Sequence, residues 1–273
     1  MLPDADARCY QILAASQAAQ NNIKSAKATI KKGISHFPDS GMLYHEKGII
    51  CQLEKKPEDA LNAWLDGIQR EPGYAQNYYA AAHIYLNTDK VMWGLLYGEV
   101  YVNIAYDTAA VQEIKKMLFA AYKTMFDNIS KEVPEYGKAK PDKTTNDFED
   151  AVQRVYASLT PVVSDGITTE NLTMVRTRFV MDWFSQYNNQ YPFSLFSYLD
   201  ELIRSGHFDK YNEWLFGKVE STVEYTAWNT FHEGDMARFA LWQNDHKLHP
   251  VAQDVYNNRN MTGLFNKFKN IDN

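Results

Sequence analysis

A 34-residue step runs through the first hundred residues of this chain. Tyr10, Tyr44 and Tyr78 stand one step apart, as do Ala14, Gly48 and Ala82, then Ala26, Ala60 and Gly94, then Ile30, Trp64 and Gly98, and finally Pro38 and Pro72. Self-similarity at a fixed period of this length means one supersecondary unit repeated, stacked so that neighbours bury a continuous core. Two small residues per period let paired helices approach without a Cβ clash, and a larger residue fills the gap beside them. A proline near the end of each period stops the second helix, having no N–H to donate and clashing with the preceding turn. The chain is therefore expected to be all-α, and no segment shows convincing strand alternation.

A unit of two helices with small residues at its eighth and twentieth positions resembles the tetratricopeptide repeat (TPR) superfamily. The resemblance sets three repeats at Ala7–Ser40, Gly41–Tyr74 and Ala75–Thr108, covering about two-fifths of the 273 residues. The middle repeat matches best, through Tyr44, Gly48, Ala60, Trp64, Gly67 and Pro72; its departures are Lys47 and Cys51. The third carries Tyr106 for the proline and Gly98 for the gap-filling aromatic, and reads as a boundary repeat. The fold implied is a helical-hairpin solenoid that binds rather than catalyses. In that family the first helix of each repeat lines a concave groove. The groove residues carried over here are Gln11, Met42, His45, Ile49, Gln76, Tyr79 and His83. Family members that clamp a peptide carboxylate use Lys, Asn and Arg at places where this chain has Gln11, Ala15, His45, Ile49, Tyr79 and His83, so no carboxylate clamp is expected.

After the repeats, a helix from Asp107 or Thr108 to about Lys131 is expected to cap the solenoid, with Val111, Ile114, Leu118, Ala121, Tyr122 and Met125 on one face. The expected division is thus a solenoid over 1–131, a linker over 132–146 marked by Pro134, Gly137 and Pro141, and an aromatic-rich helical region over 147–273. In that region Thr168 caps a helix bearing Leu172, Val175, Phe179 and Trp183, another ends at Gly206, and separate helices are expected over 222–231 and 235–245. The run Tyr211-Asn212-Glu213-Trp214-Leu215-Phe216-Gly217, after Ser205-Gly206-His207-Phe208, resembles a C-terminal region of TPR proteins from Bacteroidetes-type bacteria. That likeness implies a bacterial source and no particular activity.

Charge and motifs exclude several functions. Up to Asp107 there are 10 basic and 12 acidic residues, and after it 18 basic and 22 acidic, so neither part has the electrostatic footprint of a nucleic-acid binder. No stretch approaches the roughly 20 apolar residues of a membrane span. The first residues have neither the basic nor the apolar region of a secretory signal, so the expected compartment is the cytoplasm for the chain as written and the periplasm for one whose leader has been removed. Phosphate-loop, dinucleotide, nucleophile-elbow and EF-hand motifs are missing, and His45-Glu46 is followed by Ile49 where a zinc-protease helix needs its second histidine. Cys9 and Cys51 lack zinc or redox spacing and are expected to be reduced. No cofactor or metal is expected. The expectation is therefore a non-enzymatic scaffold holding a protein or peptide in the repeat groove. Two rivals stay open: an enzyme using His232, Asp235 and His246 as acid, base or metal ligands, and a structural protein whose groove is filled by its own chain.

Overall fold

The computed structural model describes residues 6–105, 109–136, 147–164 and 166–257, and every regular element among them is helical. They fall into two compact units, one formed by residues 6–89 with 250–257 and the other by the described residues between 90 and 249.

The first unit contains α1 (Ala7–Ala19), α2 (Ile23–His36), α3 (Gly41–Leu53), α4 (Pro57–Arg70) and α5 (Ala75–Leu86). The helix starts keep the sequence period, at 7, 41 and 75 and at 23 and 57. The repetition extends to the turns. Asn21 and Lys55, one period apart, both take left-handed backbone at φ 59°, and the amides that follow reach back to Gln17 O at 2.8 Å and Cys51 O at 2.9 Å. α1 and α3 are thereby closed by the same left-handed cap, whereas α5 ends at Asn87 without one. Phe37 N to Gly33 O at 2.8 Å and Glu71 N to Gly67 O at 2.9 Å repeat the end of each second helix.

Inside the hairpins the small positions are fully used. Ala14, Ala26 and Ala60 are all 0 % exposed, as is Ala82 on α5. The α3–α4 hairpin is the tightest case, because Trp64 lies across the backbone of α3 and donates its indole N–H to His45 O at 3.2 Å. A Cβ at position 48 would stand 2.1 Å from that indole nitrogen, so only glycine fits. One period earlier the pair is Ala14 with Ile30: a smaller filler goes with a larger floor. Tyr10, Ala14, Ala26, Ile30, Leu43 and Ile50 form the core of the first two hairpins, flanked by Ile23, Ile34 and Phe37. A short 3-10 turn at Ala252–Asp254 joins this unit through Gln69 Nε2, which donates to Ala252 O at 2.8 Å.

The second unit contains α6 (Val91–Ile104), α7 (Ala109–Tyr136), α8 (Asp147–Ser158), α9 (Thr169–Gln186), α10 (Ser194–Arg204), α11 (Phe208–Asn212), α12 (Lys218–Glu220) and α13 (Thr222–Asp245), with a 3-10 turn at Thr160–Val163 and a π turn at Glu213–Gly217. Every residue from Val91 to Val102 is buried, and a helix apolar all round belongs in the middle of a bundle. It packs along α7, where a Cβ on Gly98 would meet Leu118 Cδ2 at 2.8 Å. The glycine that breaks the repeat pattern is thus the seat of a helix that crosses α6 closely.

This division differs from the one expected from the linker signals. The boundary lies at Asp89/Lys90, inside the third 34-residue period, because α6 is the buried centre of the second unit. α7 continues to Tyr136; the expected caps Asp107 and Thr108, and residues 137–146 of the expected linker, lie outside the described residues. Residues 250–257 go with the first unit rather than with the aromatic region, and 258–273 lie outside the described residues. Thr168 does cap α9, in a reciprocal box with Asn171, and Leu172, Val175, Phe179 and Trp183 are all buried. The two helices expected on either side of Gly234 are one helix, α13, kinked at His232, whose φ of −117° and ψ of 16° are non-helical.

Candidate functional site

The helices α1, α3 and α5 pack side by side, α1 on α3 and α3 on α5, and present the seven residues expected to line a groove. Gln11 comes from α1, Met42, His45 and Ile49 from α3, and Gln76, Tyr79 and His83 from α5. Gln76 is exposed and the other six are half-buried, so their stems belong to the helix packing while their outer atoms stay reachable. The Tyr79 and His83 rings, one turn apart, stand 5.8 Å centre to centre. Asn87 Nδ2 donates to His83 O at 2.7 Å and closes the end of that helix. His45 meets Tyr74 edge-on at 6.0 Å, and burial lowers its pKa to about 4. The His45 imidazole is therefore neutral at pH 7. Glu46 next to it is 4 % exposed; burial raises its pKa, and a hydrogen bond with Gln11 partly offsets this. None of the seven is Lys or Arg. The face combines aromatic and aliphatic area with amide groups and little charge, a composition suited to an extended or helical segment.

A buried residue beside this face escaped the sequence reading. Asn77, 0 % exposed, donates its amide to Gly41 O at 3.0 Å, and Glu71 Oε2 accepts from Gly41 N at 2.6 Å. Together they tie the start of α3 to the turn and helix that follow α4. The signal was available, since Asn77 falls one period after Leu43, a fully buried apolar position.

The residues of the rival enzyme reading are not brought together. The His232 ring lies flat on Trp228 at 4.2 Å with Nδ1 2.8 Å from Trp228 O. His246 lies flat on Trp242 at 4.6 Å with Nδ1 2.9 Å from Trp242 O, and Asp235 pairs with Arg238. His232 and Asp235 serve their own stretch of α13, while His246 caps its end with Nε2 4.0 Å from Glu201 Oε1 on α10. Among the described residues no three His, Cys, Asp or Glu side chains converge as a metal site would need.

The second unit's polar centre is a cation among aromatic rings. Arg176, 1 % exposed, pairs with Glu99 and with Asn212 Oδ1, and its guanidinium lies 5.4–5.9 Å from the ring centres of Tyr122, Phe208, Tyr211 and Phe216. Tyr211 donates its hydroxyl to Glu99 Oε1 at 2.8 Å and accepts from Asn103 Nδ2 at 2.7 Å. Burial works against the charged guanidinium, but Glu99 and the surrounding phenols outweigh it and hold the arginine pKa above its usual value. At the π turn Lys115 Nζ donates to Trp214 O at 3.0 Å, the ammonium lying 3.4 Å from the Trp214 ring centre. The sequence carried a signal here too. Arg176 interrupts the apolar stripe of α9, and Glu99 is the one charged residue between Val91 and Val102.

No protein-family model, curated protein or solved structure matches the chain. Among the described residues no helix is long and apolar enough to cross a membrane.

Proposed function

We propose that the first unit is a tetratricopeptide-type scaffold that binds a protein or peptide segment across α1, α3 and α5. The observation that carries this reading is the recurrence of helix starts every 34 residues, with the turn hydrogen bonds repeated in the first two periods, and the edge-to-edge packing of the three first helices that carry Gln11, Met42, His45, Ile49, Gln76, Tyr79 and His83. A tyrosine at such a surface offers large apolar area with a polar tip, and truncating an anchor of this kind costs about 2 kcal/mol or more of binding energy. Peptides selected from a displayed random library against the full chain provide the ligand. Tyr79→Ala with His83→Ala is expected to weaken the selected peptide at least about tenfold while helicity and melting stay nearly unchanged. With little charge on the face, affinity should change little with ionic strength. Peptides whose affinity ignores the double substitution, or collapses between low and moderate salt, would sink the inner-face reading.

A further inference from the structure

A second surface of the first unit differs from the inner face in shape and in charge. α2 carries Lys24, Lys27, Lys31 and Lys32 and no acidic residue, on a chain of net charge −6. Between α2 and α3 opens an apolar cleft of about 450 Å³, a volume typical of pockets that accept a ligand or a partner's side chains. Ile30 and Ile50 form its floor at 2 % and 1 % exposure, with Cys51 beside them, while Ile34 and Ala28 supply the wall and the outer lip. Burial pushes the Cys51 thiol up, so the floor is uncharged. Lys27, Lys31 and Lys47 stand around the opening, and no acidic side chain lines it. Glu54 holds the Lys27 ammonium at 2.9 Å, whereas Lys31 and Lys47 have no carboxylate partner among the described residues.

We propose that this cleft docks an acidic amphipathic segment of another protein, with aliphatic side chains on Ile30, Ile34 and Ile50 and carboxylates on Lys31 and Lys47. An apolar recess rimmed by cations fits the mode in which an amphipathic segment lays its apolar side into a groove. The charge sign selects the occupant. Residues 258–273 of this chain carry Arg259, Lys267 and Lys269 against Asp272, the wrong sign for a lysine rim. A lipid surface does not fit, because the apolar groups are recessed rather than projecting. The lysines add rate and selectivity through electrostatic steering, and the isoleucines add contact area.

The probe is a fluorescein-labelled peptide of about 14 residues with Leu at helical spacing and Glu elsewhere, titrated by anisotropy into the full chain. Two control peptides replace every Glu by Lys or every Leu by Ser. The Leu/Glu peptide is expected to bind with a Kd of about 10–100 µM, and each control at least about tenfold more weakly. Lys31→Glu with Lys47→Glu, and separately Ala28→Trp, which fills the cleft from its exposed lip, should each weaken the Leu/Glu peptide at least about tenfold with the circular dichroism unchanged. Raising salt from about 50 to about 500 mM should weaken it several-fold. Tyr79→Ala with His83→Ala should leave it unaltered, so this proposal and the inner-face reading fail separately. Equal binding of either control peptide, indifference to both cleft variants, or no binding at about 1 mM would overturn the proposal. So would self-association of the free chain that Ala28→Trp abolishes, since the occupant is then a second copy.

Discussion

Arg176→Met is expected to destabilise the second unit by about 3–5 kcal/mol in urea unfolding, the range for removing one partner of a buried ion pair. The cost comes from what stays behind. Glu99, 4 % exposed, would lose its guanidinium partner and be left with the Tyr211 hydroxyl, and Asn212 Oδ1 would lose its donor. Glu99→Leu alone should also be costly, because the guanidinium would then rest among aromatic faces with no anion. Replacing both should recover much of the loss, since a well-packed apolar pair often equals a buried ion pair in stability. The double-mutant cycle isolates the pair: a coupling of at least about 2 kcal/mol is expected, and additive single effects would contradict the account of this centre.

Ala60→Arg is expected to cost several kcal/mol in the first unit, as unpaired buried charges do. Ala60 is 0 % exposed on α4, the helix that lies along α3 with Trp64 pressed onto Gly48. A long charged side chain at this fully buried position must displace its neighbours or hold its guanidinium within the helix crossing. Asn62→Arg, on the exposed side of the same helix, should stay within about 0.5 kcal/mol of the parent protein. Thermal or urea unfolding compares the two directly. Unchanged unfolding of Ala60→Arg would remove the close-packed helix crossing from the description of the repeats.

The contrast between these sites and the rest of the molecule shows what the sequence made legible. Ala14, Ala26, Gly48, Ala60 and Ala82 announce themselves because close helix crossings impose a side-chain limit at a fixed period. Thr168 is legible for a local reason: its hydroxyl and the Asn171 side chain satisfy each other's backbone amides within one turn. The division at Asp89/Lys90 had no such marker. Asn87, Thr88 and Asp89 make an ordinary inter-helix turn, and what assigns α6 to the second unit is tertiary: Gly98 against Leu118, Trp93 Nε1 donating to Glu149 Oε2 at 3.0 Å, and Glu99 on Arg176 across 77 positions of sequence. The kink of α13 falls at His232, whose ring is stacked on Trp228 one turn earlier in the same helix, and not at Gly234 two residues further on. Of the seven proposed groove residues, the period located the helices, but the ring contact of Tyr79 with His83 and the neutral state of His45 depend on packing that spacing alone does not give.

The central claim is that α1, α3 and α5 offer the binding face, and photo-cross-linking tests it most directly. A library-selected peptide carrying a benzoylphenylalanine is bound to the full chain, irradiated, and its attachment sites are mapped by mass spectrometry. The account predicts adducts on α1, α3 and α5, concentrated at or beside Met42, Ile49 and Tyr79 and lost with Tyr79→Ala and His83→Ala. Adducts confined to α2, α4 or residues 90–249 would contradict it.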